Sequence, residues 1–349
     1  MLVAIRATLI TFASFFPSES LASQLPEAFD RNSVQFIFRK VGTNYYPSGT
    51  CFGVSVPLHV RPWWKPIVEW FDWFYLFHSP PVSYRFPYFV TAKHVLLDTN
   101  GNVRPELYWR LNKTEGGVTY TPLAIDTSNY LRIMTHRDKS VDIAVFTFGE
   151  TLLTNTNFVK LLPRTARTPI KKDIKTASFP SSVLNGKHYF EKHPIYEGED
   201  MFFVGLFTPY YGSQQNIPIC RFGRFAMVTD EKIPFLADSG EIIPQDLYVV
   251  ETQAFGGNSG SPAFIFKKKW HKYFHTGLPE LQNEAYLAGV VKGYFNDWSD
   301  LKCRNSAVNA GVLYNDGVAV IVPEYYLYDM IFSKKEMKLR ANFERLLRQ

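Results

Sequence analysis

A chain of 349 residues, 46% of them hydrophobic, can bury a large core, and two barrels of roughly 100 residues or more each fit its length. Its three cysteines are too few for a disulfide framework, so stability has to come from packing. The net charge of +6 mildly favours anionic surfaces, but no aromatic-interleaved basic groove and no nucleic-acid motif accompanies it, and a nucleic-acid partner is excluded.

With 30 Phe and 20 Tyr and turn residues spread throughout, the composition predicts many short strands. Residues 1–22 have the layout of a signal peptide: one positive charge, a short apolar run, then the small residues Ser20 and Ala22 around Leu21. This favours an exported protein over a cytoplasmic one, the alternative being an N-terminal arm. A first barrel is expected over 30–150, opening with strands at 33–38 and 50–56. Residues 58–87 then form an insertion with Trp63, Trp64, Trp70 and Trp73, in which Pro66 starts an apolar helix of about twelve residues. It is too short to cross a bilayer. It is read either as extra core or as a docking surface for a membrane interface, a partner protein or a second copy. The strand at 88–92 leads to His94, and Asp142 opens another. Residues 151–199 read as a connection, with a solvated basic stretch at Lys160, Arg164, Arg167, Lys171, Lys172 and Lys175. A second barrel over 200–322 takes strands at 201–207, 219–229, 247–252, 262–266, 286–291 and 317–322. Helices close the chain over 323–349. The first runs from 324 to 331, and Ser333 with Glu336 makes a capping-box signature for the second, whose apolar face is Leu339, Phe343, Leu346 and Leu347.

The run Gly256-Gly257-Asn258-Ser259-Gly260-Ser261-Pro262 carries the chemistry. Two glycines permit a tight turn that presents N–H groups, and Gly260 leaves room beside the Ser259 hydroxyl. A serine needs a base to take its proton, and the base needs an orienting carboxylate. His94 ends an apolar strand and supplies the first. Asp98 lies nearer in sequence, but the carboxylate has to reach the far ring nitrogen from a neighbouring strand, which favours Asp142.

The order His94, Asp142, Ser259 in the contexts T-A-K-H-V, V-D-I-A-V and G-G-N-S-G-S-P resembles the chymotrypsin-like (trypsin-like) serine peptidases. Within them the chain is most similar to the high-temperature-requirement and glutamyl-endopeptidase types, which favour Asn before the serine and Val after the histidine. The resemblance spans about 34 to about 331. It implies an all-β fold of two six-stranded antiparallel barrels, with the active site in the cleft between them. It also implies a serine endopeptidase working on protein or peptide substrates through an acyl-enzyme, with no metal or organic cofactor. The oxyanion hole falls on the N–H groups of Gly257 and Ser259.

The departures matter as much. Asn258 carries no charge, so it cannot pair with a freed N-terminal ammonium. No peptide-binding module follows the last helix, which puts chaperone-like or cage-forming behaviour in doubt. By the same resemblance Gln253, Ala254, Phe255, Val291, Lys292, Gly293 and Gly317 line the pocket for the side chain before the scissile bond. That set holds no carboxylate and no histidine, so cleavage strictly after Lys or Arg, or strictly after Glu, is not expected. Lys292 is placed to favour acidic side chains at a more distant subsite. An esterase or amidase using the same three residues and an inactive peptide-binding module are the alternatives; the oligomeric state is not set by the sequence.

Overall fold

Alternating apolar residues place the first strands, but their two faces are both buried. The computed structural model describes residues 30–58, 85–123, 131–148, 174–236, 240–272, 279–302 and 309–347. The expectations for residues 1–22, for most of the aromatic insertion and for the basic residues 160–172 lie outside these. In β1 (Val34–Val41), β2 (Asn44–Pro57) and β3 (Arg85–Thr91), Phe36, Phe52, Val54, Phe86, Tyr88 and Val90 enter one cluster, while Ile37, Cys51 and Phe89 enter another with Trp109 and Phe146. Burial pushes the Cys51 thiol up and the Cys220 thiol up to about 11, and neither cysteine is in a disulfide.

The first sheet continues through the one-turn helix α1 (Lys93–Leu96), β4 (Leu107–Lys113), β5 (Val118–Pro122), β6 (Leu131–Thr135) and β7 (Ala144–Phe148). Its antiparallel path is β5-β4-β1-β2-β3-β7-β6. The short strands β8 (Ile174–Lys175) and β9 (Phe179–Pro180) attach to β4 and β2, so the described end of the connection is packed on the first sheet, with Lys175 exposed. Ile174, Phe179 and Leu184 are buried there, as are Phe190 in helix α2 (Lys187–Lys192) and Ile195 beyond it.

The second unit is a closed six-stranded barrel. Its strands are β10 (Asp200–Gly205), β11 (Ile219–Met227), β14 (Tyr248–Glu251), β15 (Pro262–Lys272), β16 (Pro279–Lys302) and β17 (Asn309–Pro323), and a separate hairpin of β12 (Ile233–Leu236) and β13 (Ile242–Gln245) precedes β14. Phe203, Val250, Ile265, Val291 and Ile321 form a core made only of this half of the chain. Their strand neighbours Phe202, Val204, Phe264, Val290 and Val322 face the other way and join Phe52, Val54 and Tyr88 in a core shared by both units. The period of two in a strand thus gives each unit an inner core and one common layer.

Helix α3 (Glu324–Ile331) has the bounds expected from sequence, and Pro323 is its N-cap. In α4 (Lys334–Leu347) the capping box is half made. The Glu336 N–H donates to Ser333 Oγ at 3.4 Å, but the Glu336 carboxylate does not return to the helix start. It is buried against the first unit instead, taking two 2.6 Å bonds from Arg132 and one of 3.2 Å from the Tyr88 hydroxyl. A fork-to-carboxylate ion pair away from water outweighs a local cap.

Candidate active site

Ser259 is held from both halves of the chain. Thr50 of β2 donates its N–H to the Ser259 carbonyl oxygen at 2.9 Å, and its hydroxyl donates to the Gly257 carbonyl oxygen at 2.8 Å while accepting from the Leu206 N–H at 2.9 Å. From β16, the Val291 carbonyl accepts from the Gly260 N–H at 2.8 Å and the Val291 N–H donates to the Ser261 carbonyl at 2.9 Å. Asn258 is 2% exposed and braces the turn from within, its Oδ1 accepting from the Phe255 N–H and its Nδ2 donating to the Leu206 carbonyl, each at 2.7 Å. Gly257 sits at φ +93°, the left-handed region that favours glycine. Among the described residues, the N–H groups of Gly257 and Ser259 have no hydrogen-bond acceptor. Two unpaired donors on one rigid turn are what a developing oxyanion requires.

The carboxylate on the His94 ring belongs to Asp142. Its Oδ2 lies 2.7 Å from Nδ1, and its Oδ1 accepts from the His94 backbone N–H at 3.0 Å. Asp98 instead accepts from the N–H groups of Asn100 and Asn102 at 2.9 and 2.8 Å, closing its own turn. Asp142 precedes β7, behind a turn in which Asp138 Oδ1 accepts from the N–H and hydroxyl of Ser140 at 2.9 and 2.7 Å. Burial pushes the Asp142 carboxyl up, but the His94 ring, its hydrogen bonds and the Lys292 ammonium outweigh burial and hold it below the usual carboxylate range. The imidazole keeps an open edge, its side chain being 29% exposed. The Ser259 hydroxyl donates to the main-chain carbonyl of Lys292 at 2.9 Å. Its single proton therefore points to that carbonyl.

The expected pocket residues divide. Gln253 and Phe255 are exposed, Ala254 and Val291 are buried, and Gly317 accepts from the Thr252 N–H through its carbonyl at 2.9 Å. A Cβ added at Gly293 would meet the Phe235 ring at 4.0 Å. The Lys292 side chain is not turned toward a distant subsite: its Nζ lies 2.8 Å from Gln245 Oε1, 3.4 Å from Asp142 Oδ2 and 4.8 Å from the centre of the Phe235 ring. Thr50, Gln245 and Phe235 escape the motif analysis because the contacts that matter are made across the fold. Among the described residues, no three His, Cys, Asp or Glu side chains are grouped so as to hold a metal ion.

The chain is all-β: a closed six-stranded antiparallel barrel follows a nine-stranded sheet that, among the described residues, does not close into the second six-stranded barrel expected from the sequence, the serine turn is bonded to both units, and two helices follow the barrel. No family model matches the chain, and no curated protein does. Among solved structures, it is similar to the Rv3671c protease from M. tuberculosis in its active form at 14% identity, over 90% of this chain and 86% of that chain, with a TM-score of 0.40. An inactive form of the same protease overlaps 86% of this chain and 87% of that chain at 13% identity and a TM-score of 0.36. These overlaps are too loose to transfer a residue or a role.

Proposed function

We propose that the chain is a serine endopeptidase. In this reading Ser259 attacks a peptide carbonyl, and His94 takes the hydroxyl proton and passes it to the leaving amine. Asp142 fixes the tautomer of the ring and stabilises the imidazolium, while the N–H groups of Gly257 and Ser259 receive the oxyanion. The observation that carries it is the 2.7 Å contact between His94 Nδ1 and Asp142 Oδ2, made beside a serine turn with two unpaired donors. That contact leaves the other ring nitrogen as the base.

A second reading, a binding module that does not turn over, draws on the Ser259 hydroxyl bonded to the Lys292 carbonyl. Labelling with a fluorophosphonate separates the two. The endopeptidase reading expects a covalent adduct on Ser259, none in Ser259→Ala, and a loss of about 10⁴ in rate for Asp142→Asn with little change for Asp98→Asn. A purified, folded chain that takes no label supports the binding module, and labelling that persists in Ser259→Ala removes the assignment. A peptide-library digest then distinguishes an endopeptidase from an esterase or amidase built on the same residues.

A further inference from the structure

Lys292 joins two ends of the candidate site in one residue. Its carbonyl oxygen holds the Ser259 hydroxyl at 2.9 Å, and its ammonium reaches the carboxylate oxygen of Asp142 that also bonds the His94 ring. The side chain is only 9% exposed. An ammonium has three donors, and a buried one needs acceptors and a counter-charge. Here Gln245 Oε1 supplies one acceptor at 2.8 Å, Asp142 Oδ2 supplies the negative charge at 3.4 Å, and the Phe235 ring covers the cation at 4.8 Å. Gln245 and Phe235 come from opposite strands of the β12–β13 hairpin, so that hairpin fixes the cation beside the acid.

We propose that Lys292 is a positioning residue for the reaction proposed above: its ammonium locks the Asp142 carboxylate and offsets part of its charge, so that His94 releases its proton more readily, while its main-chain carbonyl sets the resting place of the Ser259 hydroxyl. The inference rests on His94 acting as the base. A carboxylate beside an imidazole stabilises the imidazolium, and a cation on the same carboxylate works against it. The other charged groups around the pair do not replace this one. The Lys93 ammonium is turned to the carbonyl oxygens of Lys139 and Val141, at 2.5 and 3.1 Å. Arg104 donates to the carbonyl oxygens of His94 and Leu97 at 2.9 and 3.1 Å. Asp138 is engaged with Ser140, with Lys232 3.9 Å away. Lys292 is thus the cation in direct contact with the Asp142 carboxylate among the described residues.

The test measures His94 by NMR titration in a Ser259→Ala background, where turnover plays no part, and measures the rate of fluorophosphonate labelling against pH in the protein with Ser259 intact. In Lys292→Met, which keeps the carbonyl and most of the unbranched side chain but removes the charge, the His94 titration should move up by about one pH unit, and the acid limb of the labelling profile with it. The labelling rate near pH 6 should then fall several-fold, while the alkaline plateau changes less. Lys292→Arg restores the charge and should bring the His94 titration back toward that of the unaltered residue. If Lys292→Met does not fold, Lys292→Gln carries the same expectation. A His94 titration unmoved in the folded neutral variant overturns the proposal even where Ser259 labels normally. Failure of Ser259 to label overturns the endopeptidase reading even where the titration moves, so the two failures are distinct.

Discussion

At Gly260 there is no room for a side chain: an added Cβ would fall on the Thr50 carbonyl oxygen and the Thr91 hydroxyl, and φ is +88°. Gly260→Ala should therefore cost more than the roughly 1 kcal/mol of a strained φ, because Thr50 ties β2 to the serine turn and Thr91 of β3 in turn donates its hydroxyl to the Thr50 carbonyl. A lowered thermal midpoint together with a loss of fluorophosphonate labelling would bear this out; normal labelling in a stable protein would count against a rigid turn. Asn258 gives a second residue-scale expectation. Its side chain makes two buried hydrogen bonds, to Phe255 and Leu206, so Asn258→Ala leaves an N–H and a carbonyl unpaired and should destabilise by about 1–3 kcal/mol in a urea titration. What the sequence shows of Asn258 is only that it has no charge. Its role as a brace depends on Leu206, about fifty residues away, and no local pattern announces that pairing. The motif around Ser259 is readable because a turn of glycines is a local need, whereas the reach of Lys292 to Asp142 is set by how the two units close on each other.

Among the elements, the strands that alternate or run apolar, such as those leading to His94 and into the second barrel, are legible from the chain. Others are not, for physical reasons that can be named. In β4 the inward position belongs to Arg110, 1% exposed, which the sequence marks as a surface residue. Its two terminal nitrogens donate to Asn216 Oδ1 and the Gly212 carbonyl oxygen, each at 2.5 Å, in the loop after β10. Replacing Arg110 with Met should strand these acceptors and loosen that loop, with faster amide exchange at residues 211–216 as the readout. In the β12–β13 hairpin Pro234 lies opposite Pro244, a pair that removes ladder donors and hides both strands from a propensity argument. Helix α3 carries a pH expectation. Glu324 is fully buried and accepts from the N–H groups of Asn185 and Gly186, each at 3.1 Å. Burial pushes its carboxyl up to about 8, although those two bonds pull the other way. A raised folded pKa means that the contribution is full below the unfolded value of 4.5 and is lost as pH rises through about 8. Across that window the folded state binds the extra proton. Glu324→Gln should accordingly flatten the decline of the urea midpoint between about pH 5 and 8 relative to the unaltered chain. An unchanged slope would show that Glu324 stays ionised throughout.

On the scale of the whole molecule, the layer between the units decides whether they behave as one body. Phe264 of the second barrel is 3% exposed and sits between Phe202, at 5.1 Å, and Phe179, at 5.2 Å, while Phe179 in turn meets Phe52 of β2 at 6.1 Å between ring centres. Helices α3 and α4 extend the same layer. Leu327 and Ile331 join it from one and Phe343 from the other, which also sends Glu336 to Arg132 and Arg340 to the Tyr88 hydroxyl, the latter at 2.6 Å. A core built this way has no seam along which either half can open alone. Phe264→Ala should cost about 3–5 kcal/mol, and that loss should be felt in both halves. The measurable consequence lies in native-state amide exchange. Protection at Phe52 and Val90, which pair across β2 and β3 in the first unit, should fall by as much as protection at Val204 in the second. Were the units independent, only Val204 and its barrel would lose protection. Because Ser259 is bonded to Thr50 from the first unit, joint opening has a functional corollary: fluorophosphonate labelling should vanish in the same urea range as the near-ultraviolet signal of the aromatic core, with no intermediate in which one half persists.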